Sequence, residues 1–201
     1  MLQKRSGKYS IDSEGEGWYN WVMIEIFKGR PLDMSGRTER EAAVYDYLDR
    51  LGIDYDRLDH EPAQTAEVCE RITEALSPAT ACKNLFLTNS KGDEFFLLVM
   101  RADKHFTGRI VAHQIGSTRL SFGSAEKLWE YLGVTSGSVS LLSLVNDKNC
   151  RVQLLVDEDV YNSPLIRCHP CVNTSSLRIG REDAFFRFVP ATGHSLRVVK
   201  M

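Results

Sequence analysis

The sequence predicts an α/β domain of the α+β type: one mixed sheet system with flanking helices. Two observations carry this. Apolar runs flank turn-rich segments at residues 89–93 and 146–149, so Cys82–Thr88 with 94–100, and 141–145 with 150–156, read as hairpins. Helical stripes are interleaved with these runs without strict strand–helix alternation, which argues against a doubly wound parallel sheet.

The elements follow in order. Residues 1–36 read as an N-terminal extension docked on the body through Trp18, Tyr19 and Trp21, with 18–27 a strand or short helix. Thr38 and Glu41 form an S/T-x-x-E capping box, followed by a stripe of Val44, Leu48 and Leu51 that stops at Gly52. Ile53 and Tyr55 alternate with aspartates as a short strand. Thr65 caps a second helix, with Val68, Ile72 and Leu76 at fourfold spacing and Ser77-Pro78 ending it. After the first hairpin, helices are predicted at Gly108–Ile115 and 124–132. A helix over 181–189 is broken by Pro190, and 195–199 is a last strand. The body therefore spans 37–201.

Composition narrows the function classes. Apolar residues are 43% and charged residues 26% of the 201-residue chain, as in ordinary globular proteins. The longest apolar run, residues 95–100, is too short to cross a bilayer, and the polar start shows no secretory signal. The net charge of −2 argues against a protein that coats nucleic acid by charge alone. It hides an asymmetry: residues 1–100 hold 12 basic and 18 acidic side chains, whereas 101–201 hold 13 and 9, so an anionic ligand is better received by the second half. Five cysteines (Cys69, Cys82, Cys150, Cys168, Cys171) form an odd set without a secreted-scaffold pattern, pointing to a reducing cytoplasm.

No G-x-S-x-G elbow, P-loop, G-x-G-x-x-G or H-E-x-x-H is present. Three features remain. Lys83 shares a strand face with Leu85 and Leu87, either snorkelling at a wet end or supplying a cation. The Gly/Ser loop 133–140 can aim backbone N–H groups at an anion or carbonyl, though most such loops are plain connections. Cys168-His169-Pro170-Cys171 invites a zinc or thiol-redox reading, but no second ligand pair lies at finger-like spacing. His60, His105, His113 and His194 read as ordinary surface or core histidines.

Taken together, Cys82-Lys83-Asn84-Leu85-Phe86-Leu87, the 133–140 loop and His169-Pro170 with Val172-Asn173-Thr174 resemble the prolyl-tRNA editing-domain family. These are free-standing aminoacyl-tRNA deacylases (the YbaK/ProX group) related to the editing insert of bacterial prolyl-tRNA synthetase. His60-Glu61-Pro62 with Thr65 and Glu67, residues 119–122 and 191–194 add to the resemblance, which covers roughly residues 35–199. It implies a curved, partly barrel-like mixed sheet and a hydrolase acting on the ester of mischarged tRNA(Pro), Ala-tRNA(Pro) first. The alternatives are Cys-tRNA(Pro) or a non-catalytic aminoacyl-tRNA binder on the same fold. The family's lysine falls on Lys83, a catalytic position together with the Gly137-Ser138 backbone. Asn84, Thr65, Val139, His169, Asn173 and Thr174 fall on the substrate side. No cofactor and no metal are implied. The implied partner is the acceptor 3′ end of aminoacylated tRNA(Pro), with prolyl-tRNA synthetase as a further candidate and neither membrane nor DNA. Two positions depart from the family pattern: Ser136 and Leu141 stand where prolines are usual.

Overall fold

The computed structural model describes residues 5–6, 25–63 and 65–201. In chain order the elements are β1 (Arg5–Ser6), β2 (Glu25–Lys28), α1 (Glu39–Arg50), β3 (Tyr55–Asp59), α2 (Ala66–Ala75), β4 (Cys82–Thr88), β5 (Phe95–Arg101), α3 (Gly108–Ile115), β6 (Ser121–Phe122) and α4 (Ala125–Leu132). A 3₁₀ segment (Leu141–Asn146) follows, then β7 (Val152–Asp157), α5 (Glu158–Tyr161), β8 (Leu165–Cys168) and β9 (Ser175–Gly180). A π-spaced turn (Asp183–Phe188) running into α6 (Val189–Ala191) and the strand β10 (Leu196–Val199) complete the chain.

The strands form two five-stranded sheets, ordered β1-β2-β3-β9-β8 and β10-β7-β5-β4-β6. The first is antiparallel throughout; the second is mixed, since β5, β7 and β10 run parallel, β4 opposes them, and β6, antiparallel to β4, runs in their direction. A parallel bridge between Thr80 and Ile166 joins β4's edge to β8. Among the described residues the two sheets meet at that bridge without closing into a barrel.

Burial follows the sequence periods. Tyr55, Ile166, Leu177 and Ile179 of the first sheet meet Phe86, Leu97, Val99, Leu154 and Val156 of the second in the main core, which α1 and α4 extend. On the far side of the second sheet, α3 packs Val111 and Ala112 against Leu87, Leu98 and Met100. On the far side of the first, α2 packs Val68 and Ile72 against Leu58. The two predicted caps are made, the hydroxyls of Thr38 and Thr65 accepting from the amides of Glu41 and Val68, and Ser124 caps α4 in the same way through Lys127 N.

Two expectations are corrected. Residues 141–145 are not a strand but a 3₁₀ segment, its first turn capped by the Ser140 hydroxyl, which accepts from Leu142 N at 3.2 Å. Leu141, Leu142, Leu144 and Val145 are all buried, and a short run buried on every side carries no period that distinguishes helix from strand. The second hairpin is therefore absent. β7 pairs instead in parallel with β5, and the Asp147 carboxylate accepts from the Arg151 and Val152 amides to start it. Pro190 does not end its helix; the turn before it widens to π spacing and the chain continues to Ala191. Of the stretch expected at 18–27, residues 25–27 lie in β2, paired with β3, and the rest falls outside the described residues.

Candidate active site

β4 is where the site begins. Its inner edge is paired along its length with β5, Cys82 opposite Arg101 through Thr88 opposite Phe95. Among the described residues, its outer edge is occupied only at the two ends. Thr80 exchanges bonds with β8 (Thr80 N to Leu165 O 2.9 Å, Arg167 N to Thr80 O 3.0 Å), and β6 pairs with Leu87 and Thr88. Between them, residues 82–85 face a gap. Because Ala81 O accepts from Ala102 N on the β5 side, alternation turns the backbone polar groups of Cys82 and Asn84 outward into that gap.

Lys83 and Asn84 leave this edge on opposite faces. Lys83 lies on the α3 side with Leu85 and Leu87. Its half-buried ammonium donates to the Ala102 carbonyl at 3.2 Å and to the Lys104 carbonyl, and no carboxylate pairs with it among the described residues. Asn84 turns towards the space between the sheets, and its buried Oδ1 has no hydrogen-bond partner.

His169 follows β8, whose parallel register with β4 carries it alongside the same gap. Its ring is partly exposed, yet Nδ1 is sealed and has no partner. Burial, and secondly the nearby Arg167 cation, push its pKa down to about 4, so the ring is neutral near pH 7. Five buried side-chain polar atoms lack a partner among the described residues; Asn84 Oδ1 and His169 Nδ1 are the two that belong to residues expected at the site.

The Gly/Ser loop is tied to His169 directly: the His169 amide donates to Ser140 Oγ at 3.2 Å. Within the loop, Ser138 N donates to Thr135 O at 3.0 Å, closing a turn in which Gly137 takes φ +88°, a left-handed conformation natural only to glycine. The Gly137 and Val139 amides have no acceptor among the described residues, while the Ser138 amide is already engaged. Gly137 is exposed; Ser138 and Val139 are partly buried, and Val139 packs against the main core.

The 169–174 turn is anchored on the other side. Ala63 N donates to Asn173 O and His60 N to Thr174 O, which places Asn173 and Thr174 beside the segment leading to Thr65. Thr65 itself is exposed, with its hydroxyl occupied in capping α2. Thus a direct bond joins His169 to the 137–140 loop, Asn173 and Thr174 are bonded to the 60–63 segment, and Lys83 stands apart on the opposite face of β4 from Asn84.

Sequence reasoning passed over three contributors. Ser140 is the joint between loop and His169. His60 is held by Glu61 O at 2.7 Å and Ser176 Oγ at 2.9 Å, so Nδ1 donates to the carbonyl and Nε2 accepts from the hydroxyl. Arg167 is buried with only Thr73 Oγ1 (2.7 Å) and Cys69 O (3.4 Å) as side-chain partners, and its charge acts on both imidazoles. A buried arginine without a carboxylate has no local sequence signature.

Cys168 and Cys171 are both in the main core. Burial raises both thiols, Cys171 to about 12, so neither is a ready thiolate. A separate open groove of about 680 Å³ lies over Lys28, Asp56, Pro78 and Arg178, away from these residues.

Residues 60–185 match the family model described as the aminoacyl-tRNA editing domain, and that span includes every residue of the site. The chain belongs to the aminoacyl-tRNA editing-domain family. Members of the family resemble it along most of their length. The prolyl-tRNA editing protein ProX of Acetoanaerobium sticklandii is 31% identical over 163 residues, spanning 81% of this chain and 98% of that protein. Prolyl-tRNA synthetase associated domain-containing protein 1 of Bos taurus is 28% identical over 160 residues, 78% of this chain and 92% of that protein. In fold, a crystal structure of a candidate trans-editing enzyme for prolyl-tRNA synthetase superimposes with a TM-score of 0.60 at 16% identity, covering 82% of this chain and 98% of that one. Editing is hydrolysis of the ester that joins an amino acid to tRNA, so this family member is a hydrolase of that bond. No helix among the described residues is long and apolar enough to cross a membrane.

Proposed function

We propose that the chain is a trans-editing deacylase of mischarged tRNA(Pro), with Ala-tRNA(Pro) as its first substrate, acting through residues 37–201 in the cytoplasm. The reading rests on two buried polar atoms without partners among the described residues, Asn84 Oδ1 and His169 Nδ1, beside the gap in β4's outer edge, Nδ1 being an acceptor in the tautomer that carries its proton on Nε2. An aminoacyl ester carries an ammonium group that only donates. Inside a protein it requires acceptors, and a neutral imidazole and a carboxamide oxygen supply them without a second charge to desolvate.

The remaining roles follow. The free amides of Gly137 and Val139 are the donors for the oxyanion that forms when water attacks the ester carbonyl. The ester is activated, so positioned water suffices and no covalent nucleophile is needed. The ribose 2′-hydroxyl assists that water. Lys83 contributes its unneutralised charge to the terminal phosphate, and Thr65, Asn173 and Thr174 border the acyl group. His169 and Val139 limit its size. That limit matters because a synthetase pocket built for proline cannot reject the smaller alanine, each missing methylene being worth only ~1–3 kcal/mol. A second site that admits alanine but not the pyrrolidine ring removes the error.

The test is a deacylation panel on tRNA(Pro) carrying Ala, Cys, Ser or Pro. Fastest turnover of Ala-tRNA(Pro), with Pro-tRNA(Pro) spared, is expected. Preference for Cys reassigns the substrate, and binding of every charged tRNA without hydrolysis of any would end the enzymatic proposal.

A further inference from the structure

From the structure we infer that the single-stranded 3′ end of the acceptor docks on a platform formed by Phe122 and Phe106, with Arg109 and Arg119 taking its phosphates. The inference rests on the tRNA reading above and assigns that ligand a surface outside the acyl site.

Phe122 is 66% exposed, and the ring centroid of the half-buried Phe106 lies 6.0 Å from its own. An aromatic ring that costs solvent exposure and fills no core is a stacking surface for something that has a π-face. The platform is rigidly mounted. Leu120 O stands where a Cβ on Gly108 would sit, and Leu120 N donates to Gly108 O at 3.4 Å, holding the start of α3 against β6. On the other side, Phe86 lies 2.5 Å from a Cβ position at Gly123, so β6 leaves the sheet in close contact with β4.

Charge selects the occupant. Residues 104–123 contain Lys104, Arg109 and Arg119, and no Asp or Glu. Lys104 is neutralised by Asp157 and Asp159, but Arg109 and Arg119 have no acidic partner among the described residues. Aromatic rings interleaved with unpaired guanidinium groups fit an unpaired nucleotide strand, whose bases stack while its phosphates need cations. Position agrees. Phe122 pairs with Leu87, which shares its face of β4 with Lys83 four residues away, about 13 Å along the strand. A few nucleotides cover that distance, so an end resting on Phe122 delivers its terminal ribose to Lys83 and the gap beside it.

The experiment compares uncharged tRNA(Pro) with the same tRNA trimmed of its single-stranded 3′ end, binding wild type, Phe122→Ala, Phe122→Tyr and Arg109→Ala/Arg119→Ala. Phe122 is exposed on a two-residue edge strand, and a thermal melt checks that each variant is folded. Phe122→Ala is expected to weaken intact tRNA about tenfold, the effect of losing one stacked base. Trimming should weaken wild type similarly and the variant hardly at all; Phe122→Tyr should bind like wild type. The double arginine variant should lower the salt slope by about two. In turnover, Phe122→Ala should raise KM and leave kcat nearly unchanged. Equal loss on trimming in wild type and Phe122→Ala overturns the platform, even if wild type deacylates normally. Conversely, Phe122-dependent binding with no hydrolysis of any charged tRNA sinks the deacylase reading and leaves the platform standing.

Discussion

The backbone N–H of His169 donates to the hydroxyl of Ser140 at 3.2 Å, joining two loops 29 residues apart in the chain. The same hydroxyl accepts from Leu142 N, so one oxygen both starts the 3₁₀ segment and sets the distance between the Gly/Ser loop and the imidazole. Ser140 is fully buried, which leaves water no way to replace it. In Ser140→Ala the buried Leu142 amide and the part-buried His169 amide lose their acceptor. We expect a stability loss of about 1–3 kcal/mol in urea titrations and a fall in kcat larger than any rise in KM. Unchanged kcat in a destabilised protein would make the joint merely structural.

Lys83 holds a charge that no carboxylate neutralises, fixed by two backbone carbonyls beside the gap in β4's edge. Removing it costs the fold little, because the side chain is only half-buried. Lys83→Ala should keep a near-native melting curve and lower kcat/KM for Ala-tRNA(Pro) at least tenfold, about 1.4 kcal/mol of barrier. Wild-type turnover in this variant would remove Lys83 from the mechanism.

At Gly137 the backbone matters more than space. With φ +88° and nothing within 4 Å of a Cβ position, Gly137→Ala meets no clash but strains the left-handed turn that aims the adjacent amides. A stability change of about 1–2 kcal/mol is expected. Misdirecting one oxyanion donor typically costs ~2.7–4 kcal/mol of barrier, so kcat should drop by roughly two to three orders of magnitude. A drop no larger than the stability change would place the oxyanion donors elsewhere.

The two neutral histidines set a pH dependence of stability. His169 has a folded pKa of about 4, below the 6.5 of an unperturbed imidazole, and burial lowers His60 as well. The unfolded chain therefore binds more protons than the folded one between these values, so stability declines as pH falls from about 6.5 towards 4. For His169 this amounts to about 3 kcal/mol at most. Urea midpoints measured at pH 7 and 4.5 should converge for His169→Asn relative to wild type. An identical acid dependence in the two proteins would show that the imidazole is not desolvated.

The amino-acid order alone determined the mixed α/β class, the helix caps at Thr38 and Thr65, the β4–β5 hairpin and the family motifs around Lys83, Gly137 and His169, because each is a local pattern of period, cap or turn. Tertiary structure alone decided that residues 141–145 coil as 3₁₀ and that β7 lies parallel to β5, since a run buried on all sides has no period to read. It also decided which polar atoms go without partners. Asn84 and His169 are ordinary polar residues in sequence; only two sheets meeting at Thr80 and Ile166, with β6 reaching no further than Leu87, bury Asn84 Oδ1 and His169 Nδ1 without a partner among the described residues.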